Sequence, residues 1–323
     1  MNFNGKRVLV TGGTGLIGRQ LVEQLISLGA QVRIASLDDP SRAHQDAEFC
    51  YVNLMDFESC LKICDKMDYV FHLAGIKGSP GIVMKKAATI FVSFLRFNTN
   101  MMEAAWQCGV ERYLFTSTIG VYSPAEVFYE DDVWKTFPSK NDWYGGWAKR
   151  MGELQAETYN VEHGWDKIAI VRPANVYGPY DNFEPANSMV IPSLIRRAID
   201  GENPFTVWGD GSPVRDFIHA RDVAKGMILA IEKGCGRAIN LGSGNGTSIK
   251  NLVEIILKQL PEQPKLIWDT SKPIGDKKRV MDTTIAKSIG FKPEISLEDG
   301  ISEVMQWYRE YKDIVSKNYN VLK

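Results

Sequence analysis

Three glycines near the start of the chain have a spacing that suits the binding of phosphate groups. Gly12, Gly15 and Gly18 directly follow the apolar run 8–11 and form the pattern G-x-x-G-x-x-G. In such a pattern the first glycine permits a tight turn, the second lets a pyrophosphate approach the backbone, and the third lets a helix pack closely on the preceding strand. We therefore predict a dinucleotide site. An ordinary strand-to-helix turn is the alternative.

The element that must position these glycines is a strand followed by a helix. Residues 8–11 are mostly β-branched, and apolar side chains recur at helical spacing from Leu16 through Leu21 and Leu25 to Ile26. The amides at the start of the helix hold phosphates, and the helix dipole favours their negative charge. Because strand, glycine turn and helix occur in this order, the motif is much more specific than three glycines alone.

Strands and helices alternate along the first 176 residues. Further strands are expected at 31–36, 47–53, 69–75, 112–118 and 167–176, and helices at 57–66, 86–108 and 143–160. This alternation predicts an α/β fold with a Rossmann-type doubly wound parallel sheet. The segment 123–142, which is rich in Pro, Asp, Glu and Trp, is expected to be a loop.

After residue 175 the alternation of expected strands and helices gives way to a polar, turn-forming stretch at 176–183. We expect a dinucleotide-binding domain over residues 1–175, which the segment 220–241 rejoins. A smaller mixed α/β substrate-binding lobe, on the C-terminal side, is expected over 176–219 and 242–323.

The second expected strand ends in residues that bear on the choice between NAD and NADP. NAD-binding units carry at this point an acidic residue that holds the adenosine ribose. Ser36 stands there instead, followed by Asp38 and Asp39, with Arg42 further on. A serine with a nearby arginine accepts a 2′-phosphate, whereas an aspartate that swings back would bind the ribose hydroxyls. The pattern slightly favours NADP and leaves NAD open.

Length, charge and cysteine usage exclude several classes of protein. The chain has 323 residues and a net charge of −1, so we expect neither a nucleic-acid nor a membrane partner. The five cysteines are scattered and the four histidines form no cluster, which predicts free thiols and no metal site. Since the first strand begins near residue 7, we expect no signal peptide and a cytoplasmic location.

Five motifs are spread over almost the whole chain. They are TGGTGLIG at 11–18, TST at 116–118, Lys149, RPANVYGP at 172–179 and RDFIH at 215–219. Together they resemble the extended short-chain dehydrogenases/reductases, in the NAD-dependent epimerase/dehydratase family that acts on nucleotide sugars. Within that family, NVYGPYDNF at 175–183 and VIPSLIRR at 190–197 resemble the GDP-fucose synthases.

The resemblance implies a catalytic Ser or Thr, a Tyr that transfers the proton, and a Lys four residues later that holds the nicotinamide ribose and lowers the pKa of the Tyr. Thr118 and Lys149 match this pattern, but Gly145 stands where the Tyr belongs. Tyr144 lies one residue earlier, which rotates its side chain by roughly 100° around a helix. Tyr144 can act only if Gly145 and Gly146 bend the helix or delay its start.

The resemblance also implies the binding residues. The cofactor-binding set is Gly12, Thr14, Gly15, Leu16, Ile17, Gly18, Ser36, Asp38, Asn53, Leu54, Ala74, Gly75 and Lys149. The substrate-binding set is Asn175, Arg197, Trp208, Arg215 and Arg279. The arginines would meet the diphosphate or its ribose, because a guanidinium offers a fork of donors suited to phosphate.

Two positions depart from the relatives in ways that affect the reaction. GDP-fucose synthases epimerise with a Cys and a His, and here Gly120 and Met189 stand in those places. Neither residue can move a proton, so the resemblance does not carry that mechanism over. The 4,6-dehydratases of this group carry Asp-Glu after the catalytic Thr, where this chain has Ile119 and Gly120.

Two functional hypotheses follow. The first is an NAD(P)-dependent enzyme that transfers a hydride at a hexose carbon of a nucleotide sugar, GDP-linked in the preferred case, as in a GDP-fucose-synthase-like epimerase/ketoreductase. Its proton would pass through Tyr144 or otherwise through Lys149, a water, or an acid of the 123–142 segment such as Glu130 or Asp131. The second is a non-catalytic NAD(P)-binding sensor or scaffold. By resemblance, the helices at 86–108 and 143–160 would form a homodimer contact.

Overall fold

The structure is a computed structural model that describes residues 2–76, 85–272 and 275–312. Its strands are β1 (Arg7–Thr11), β2 (Gln31–Ser36), β3 (Glu48–Tyr51), β4 (Tyr69–His72), β5 (Arg112–Thr116), β6 (Val127–Phe128), β7 (Ile168–Pro173), β8 (Asn175–Tyr177), β9 (Phe205–Trp208), β10 (Val214–His219), β11 (Ala238–Leu241), β12 (Gly246–Ser248), β13 (Leu266–Asp269) and β14 (Lys278–Met281). Its α-helices are α1 (Leu16–Ser27), α2 (Phe57–Cys64), α3 (Ala87–Gln107), α4 (Trp143–His163), α5 (Val190–Ile199), α6 (Ala220–Lys233), α7 (Ile249–Leu257), α8 (Thr284–Ser288) and α9 (Leu297–Tyr311).

Seven parallel strands form the main sheet, in the order β11-β7-β5-β4-β1-β2-β3. The chain winds outward from β1 in one direction through β2 and β3, and in the other direction from β4 onward. This reversal between β1 and β4 leaves a crevice at the carboxyl ends of the two strands. The arrangement confirms the predicted Rossmann-type doubly wound sheet.

Both faces of this sheet are buried because alternate residues of each strand point to opposite sides. In β1, Val8 and Val10 join the core that includes Leu21 of α1, whereas Leu9 joins the core that includes Met101 of α3. Helix α1 packs beside α6 on one face, and α3 packs beside α2 and α4 on the other. The strand that carries the glycine turn is therefore held rigidly from two sides.

The expected strand at 167–176 is two strands in different sheets. β7 ends at Pro173, and the amide of Ala174 makes a last bond to the carbonyl of Leu241. β8 then pairs with β10, with Asn175 opposite Phe217. A proline has no amide hydrogen for a continuing ladder, and the chain changes sheets directly after it.

The segment 123–142 is more ordered than the expected loop. It contains β6, which pairs with β14, and the 3-10 helices Glu130–Lys135 and Lys140–Asp142. Phe128 of β6 is buried and stacks on Tyr122 at 4.8 Å between ring centroids. Because β6 pairs with a strand more than a hundred residues away, local composition could not predict it.

The C-terminal part contains a smaller mixed sheet, in the order β12-β10-β14-β6, with β8 beside β10 and with β12 antiparallel to β10. A two-stranded pair, β13 and β9, lies apart from it. Helices α5, α7 and α9 pack around a third core, which includes Phe205, Ile256 and Val304. Among the described residues, no helix is both long enough and apolar enough to cross a membrane.

Candidate functional site

A cavity of about 870 Å³ lies along the carboxyl ends of β1, β2, β4 and β5 and extends toward the C-terminal part. Every predicted cofactor-binding residue lines it, namely Gly12, Thr14, Gly15, Leu16, Ile17, Gly18, Ser36, Asp38, Asn53, Leu54, Ala74, Gly75 and Lys149. Thr118, Asn175 and Arg279 line the same cavity. One continuous space therefore connects the glycine turn to residues of both sequence-predicted sets.

The glycine turn has the geometry of a dinucleotide cradle. Gly12 adopts a φ of +69°, a conformation that side chains disfavour. A Cβ on Gly18 would overlap the carbonyl oxygen of Gly12, so only glycine allows α1 to start this close to the strand. The position of a Cβ on Gly15 is restricted only by that carbonyl, 3.4 Å away. The turn is thus closely packed inside and open toward the cavity, which suits a pyrophosphate.

The end of β2 combines an acidic and a basic side chain. The hydroxyl of Thr14 donates to Asp38 at 2.6 Å and lies 2.9 Å from the Ser36 hydroxyl. Arg42 also lines the cavity, and its guanidinium lies 3.4 Å from the carbonyl of Thr14. Burial lowers the pKa of Arg42, and the charge of Asp38 opposes that shift. Asp38 and Arg42, the two groups that bear on the choice between NAD and NADP, therefore lie at one end of the cavity.

Lys149 is buried in the wall of the cavity, one turn beyond the adjacent glycines of α4. Its ammonium donates to the carbonyl of Thr116 at 2.7 Å and lies about 5 Å from the rings of Phe94 and Phe115. Burial lowers the pKa of Lys149 to about 7, although the charge of Glu153 acts in the opposite direction. Burial therefore disfavours the ammonium form of Lys149 relative to that of an exposed lysine.

Tyr144 was expected to act only if Gly145 and Gly146 bent helix α4 or delayed its start, and the start of the helix is not delayed. Helix α4 starts at Trp143 and runs without interruption through both glycines. Of the described residues in its first turn, Gly145 and Gly146 line the cavity, whereas Tyr144 does not. A Cβ on Gly145 would meet no described atom within 4 Å. The position at which the resemblance implies a Tyr is therefore open as far as the described residues are concerned.

The acids suggested for the 123–142 segment also lie elsewhere. Glu130 and Asp131 line a separate small cavity with Asp282, and Glu130 accepts a hydrogen bond from the amide of Asn240 at 3.0 Å. Burial raises the pKa of Glu130. The acid of this segment that lines the main cavity is Asp142. Asp142 precedes Gly145 by three residues and Lys149 by seven, so the three residues lie on one face of the helix. This spacing is the sequence pattern that would have indicated Asp142.

The predicted substrate residues divide into two groups. Asn175 and Arg279 line the cavity, but Arg197, Trp208 and Arg215 are not among the residues that line it. Arg197 is paired with Glu202, and Arg215 donates to the carbonyl of Asp276 at 2.7 Å.

Two further observations concern the same part of the chain. Trp208 is 68% exposed, and the ammonium of Lys272 lies 5.7 Å from its ring. Arg196 takes the place in the wall that was expected for Arg197. Consecutive residues of a helix point about 100° apart, so only one of the two faces the cavity.

A buried network stands behind the cavity wall. Arg172 makes two hydrogen bonds to the carboxylate of Glu153, at 2.6 and 2.9 Å, and both side chains are almost completely inaccessible to solvent. Glu153 also accepts a hydrogen bond from Ser117, which lines the cavity beside Thr118. Arg172 donates as well to the hydroxyl of Tyr122 at 2.9 Å. The network fixes the end of β5 against α4.

His72 is a packed histidine of β4. Its ring nitrogens lie 2.8 Å from the hydroxyl of Thr11 and 3.0 Å from the amide oxygen of Asn98. Burial lowers the pKa of His72 to about 3, so the ring is neutral at physiological pH. Within the described ranges, no group of three or more His, Cys, Asp or Glu side chains is arranged to hold a metal ion.

Comparison with known proteins gives a consistent result. The model of the NAD dependent epimerase/dehydratase family matches residues 8–242. The chain is 33% identical over 315 residues to a probable GDP-L-fucose synthase 1 of Oryza sativa subsp. japonica, covering 95% of this chain and 93% of the relative. It is 29% identical over 320 residues to a dTDP-4-dehydro-6-deoxy-D-allose reductase of Streptomyces bikiniensis, covering 95% and 97%. The structure of a UDP-glucose 4-epimerase from Thermotoga maritima, with UDP-glucose, matches with a TM-score of 0.82 at 27% identity, covering 95% of this chain and 99% of that one.

Proposed function

Because this chain belongs to the NAD dependent epimerase/dehydratase family and is an NAD(P)-dependent enzyme, we propose that it transfers a hydride at a hexose carbon of a GDP-linked sugar, with NADP(H) as the cofactor. The observation that carries this proposal is the single cavity that brings the glycine turn, Thr118 and Lys149 together with Asn175 and Arg279. A protein that only sensed the cofactor would not need the last two residues beside it.

The chain's own residues have distinct tasks in this proposal. Gly12, Gly15 and Gly18 would cradle the pyrophosphate of the cofactor, and Lys149 would hold the nicotinamide ribose. Thr118 donates to the oxygen on the reacting sugar carbon. When bound, the nicotinamide supplies or accepts the hydride. The buried wall around Lys149 excludes water, which strengthens these electrostatic contacts.

Sequence similarity supports the choice of a GDP-linked sugar over other nucleotide sugars. The stretches 175–183 and 190–197 resemble GDP-fucose synthases, and several relatives that carry that name cover more than nine-tenths of this chain. Arg196 and Arg279 offer guanidinium groups in the cavity wall, which suit a diphosphate. A homodimer through α3 and α4 and a cytoplasmic location complete the proposal.

A substrate panel tests this function. We would incubate the protein with NADPH or NADH and with GDP-, UDP-, dTDP- and CDP-hexoses and their 4-keto forms, in deuterated water. The expected result is a new sugar product from a GDP-linked substrate with NADPH or NADP+. The empty position at Gly145 favours the sensor as a second candidate. Thermal stabilisation by cofactor alone, without turnover of any sugar nucleotide, would support the sensor and exclude the enzyme.

The cofactor preference gives a prediction at Arg42. Arg42→Ala is expected to raise the Kd for NADPH by about 10- to 100-fold, because a guanidinium–phosphate bond is among the stronger charge-assisted hydrogen bonds. The Kd for NADH should change by less than about threefold, since NADH lacks the 2′-phosphate. Equilibrium dialysis with both cofactors measures the two values.

The matched control for this prediction is Arg237→Ala, which removes an exposed arginine that is distant from Arg42 in the sequence. It should leave both dissociation constants unchanged. An equal loss of NADPH and NADH binding in Arg42→Ala would show that Arg42 only supports the loop, and the preference for NADP would then lose its basis.

A further inference from the structure

Asp142 is an N-terminal helix residue that does not cap its helix. It occupies the N-cap position of α4, where an aspartate normally accepts a hydrogen bond from an amide of the first turn. Among the described atoms its carboxylate makes no such bond, and the residue instead lines the main cavity. Local rules of this kind are broken most often at functional sites.

The carboxylate of Asp142 occupies space beside Gly120. A Cβ on Gly120 would lie 3.1 Å from Cβ and Cγ of Asp142, and 3.3 Å from its Oδ1. The amide of Gly120 donates to the hydroxyl of Thr118 at 3.1 Å. The Thr118 hydroxyl and the Asp142 carboxylate therefore both lie next to the backbone of one glycine. A larger residue at position 120 would displace the carboxylate.

Arg279 holds this carboxylate in place. Its guanidinium donates to Oδ2 of Asp142 at 2.9 Å, and Arg279 lines the same cavity. The other oxygen of Asp142 is the one nearest to Gly120. One oxygen is thus held by the arginine, and Asp142 shares the wall of the main cavity with Thr118.

We propose that Asp142 is the catalytic acid/base of this site and takes the place of the side chain that is missing at Gly145. This assignment rests on the proposed function. In the oxidative direction the sugar O–H bond breaks and its proton passes to Oδ1 of Asp142. The C–H bond breaks at the same carbon, its electron pair leaves as hydride to the oxidised nicotinamide cofactor, and the C=O bond forms. In the reductive direction the same proton returns to the oxygen.

The test compares Asp142→Ala and Asp142→Asn with the wild type, on the sugar nucleotide that the panel identifies. We expect kcat to fall by about 10²-fold in both, which is within the range for removal of a general base, while KM for the sugar nucleotide changes by less than threefold. Added formate should raise the kcat of Asp142→Ala at least tenfold, because a small carboxylate can enter the space that the aspartate side chain leaves. Cofactor affinity, measured by equilibrium dialysis, should stay at the wild-type value.

The control is Asp131→Ala, which removes an exposed acid of the same segment outside the main cavity. It should leave kcat and KM unchanged. A rise in KM without a fall in kcat, or no response to formate, would show that Asp142 only orients Arg279 and would overturn the assignment. A wild-type protein that turns over no sugar nucleotide would overturn the proposed function and this assignment with it, whereas turnover that survives in Asp142→Ala would overturn the assignment alone.

Discussion

Lys149→Met is expected to lower kcat by about 10²- to 10³-fold, which is the usual loss when one preorganised donor is removed from an active site. Lys149 is buried in the cavity wall, and methionine keeps most of its apolar stem. The fold should therefore survive the change. Stopped-flow measurement of hydride transfer, followed as NADPH absorbance, gives the rate. Lys140→Met removes an exposed lysine nearby and should have no effect.

The same variant gives a second readout that does not depend on activity. Burial lowers the pKa of Lys149 in the folded protein to about 7, from an ordinary value of 10.5. Between these two values the unfolded chain binds a proton that the folded chain does not. Unfolding is therefore linked to proton uptake, and the free energy of unfolding rises as the pH rises from about 7 toward 10.5.

The expected size of this effect is about 2 kcal/mol between pH 7 and pH 9, measured as wild type minus Lys149→Met by urea unfolding at each pH. Other titrating groups are common to the two proteins and cancel in the difference. A difference that stays flat with pH would show that Lys149 is charged at pH 9, and the buried position of its ammonium would then be incorrect.

Loss of Arg172 should destabilise the protein more than any surface change. Arg172→Leu leaves the carboxylate of Glu153 buried without its partner, and such a change costs about 3–5 kcal/mol. Because Glu153 also accepts from Ser117, the end of β5 should loosen as well. Urea unfolding gives the free energy. Replacing both partners, with Glu153→Leu added, should recover part of the loss, since no unpaired charge then remains.

A matched control for this pair lies on the surface. Lys225 and Glu294 form an ion pair with both side chains largely exposed. Lys225→Ala should cost less than about 1 kcal/mol, because water screens such a pair. If Arg172→Leu costs no more than Lys225→Ala, the buried network does not support the cavity wall in the way described.

The sheet and the cofactor end of the cavity could be predicted from the sequence because they depend on local patterns. The glycine spacing requires a turn that only glycine allows, and Gly12 and Gly18 occupy such positions. Apolar strands that alternate with helices leave few arrangements other than a parallel sheet. The strand change at Pro173 was missed because β8 begins at Asn175, only one residue after β7 ends, so the two strands were taken as one.

The reacting end of the cavity was harder to predict because it depends on which way each side chain faces. The sequence alone placed Tyr144 one residue from the required position and left the start of its helix undecided. The sequence could not show which of Arg196 and Arg197 faces the cavity, because the two differ only in the direction that their side chains take around the helix. Asp142 was hidden inside an expected loop, and its contacts with Gly120 and Arg279 join residues 22 and 137 positions apart.

The packing of Asp142 against Gly120 also constrains how this protein could evolve. Any side chain gained at position 120 would place its Cβ 3.1 Å from Cβ and Cγ of Asp142, so the side chain of Asp142 would have to shift by a few tenths of an ångström. Position 145 carries no such restriction from the described residues, because a Cβ there would meet none of their atoms within 4 Å. A tyrosine at position 145 is therefore sterically accessible in one substitution. A cysteine at position 120 would instead require the side chain of Asp142 to move with it.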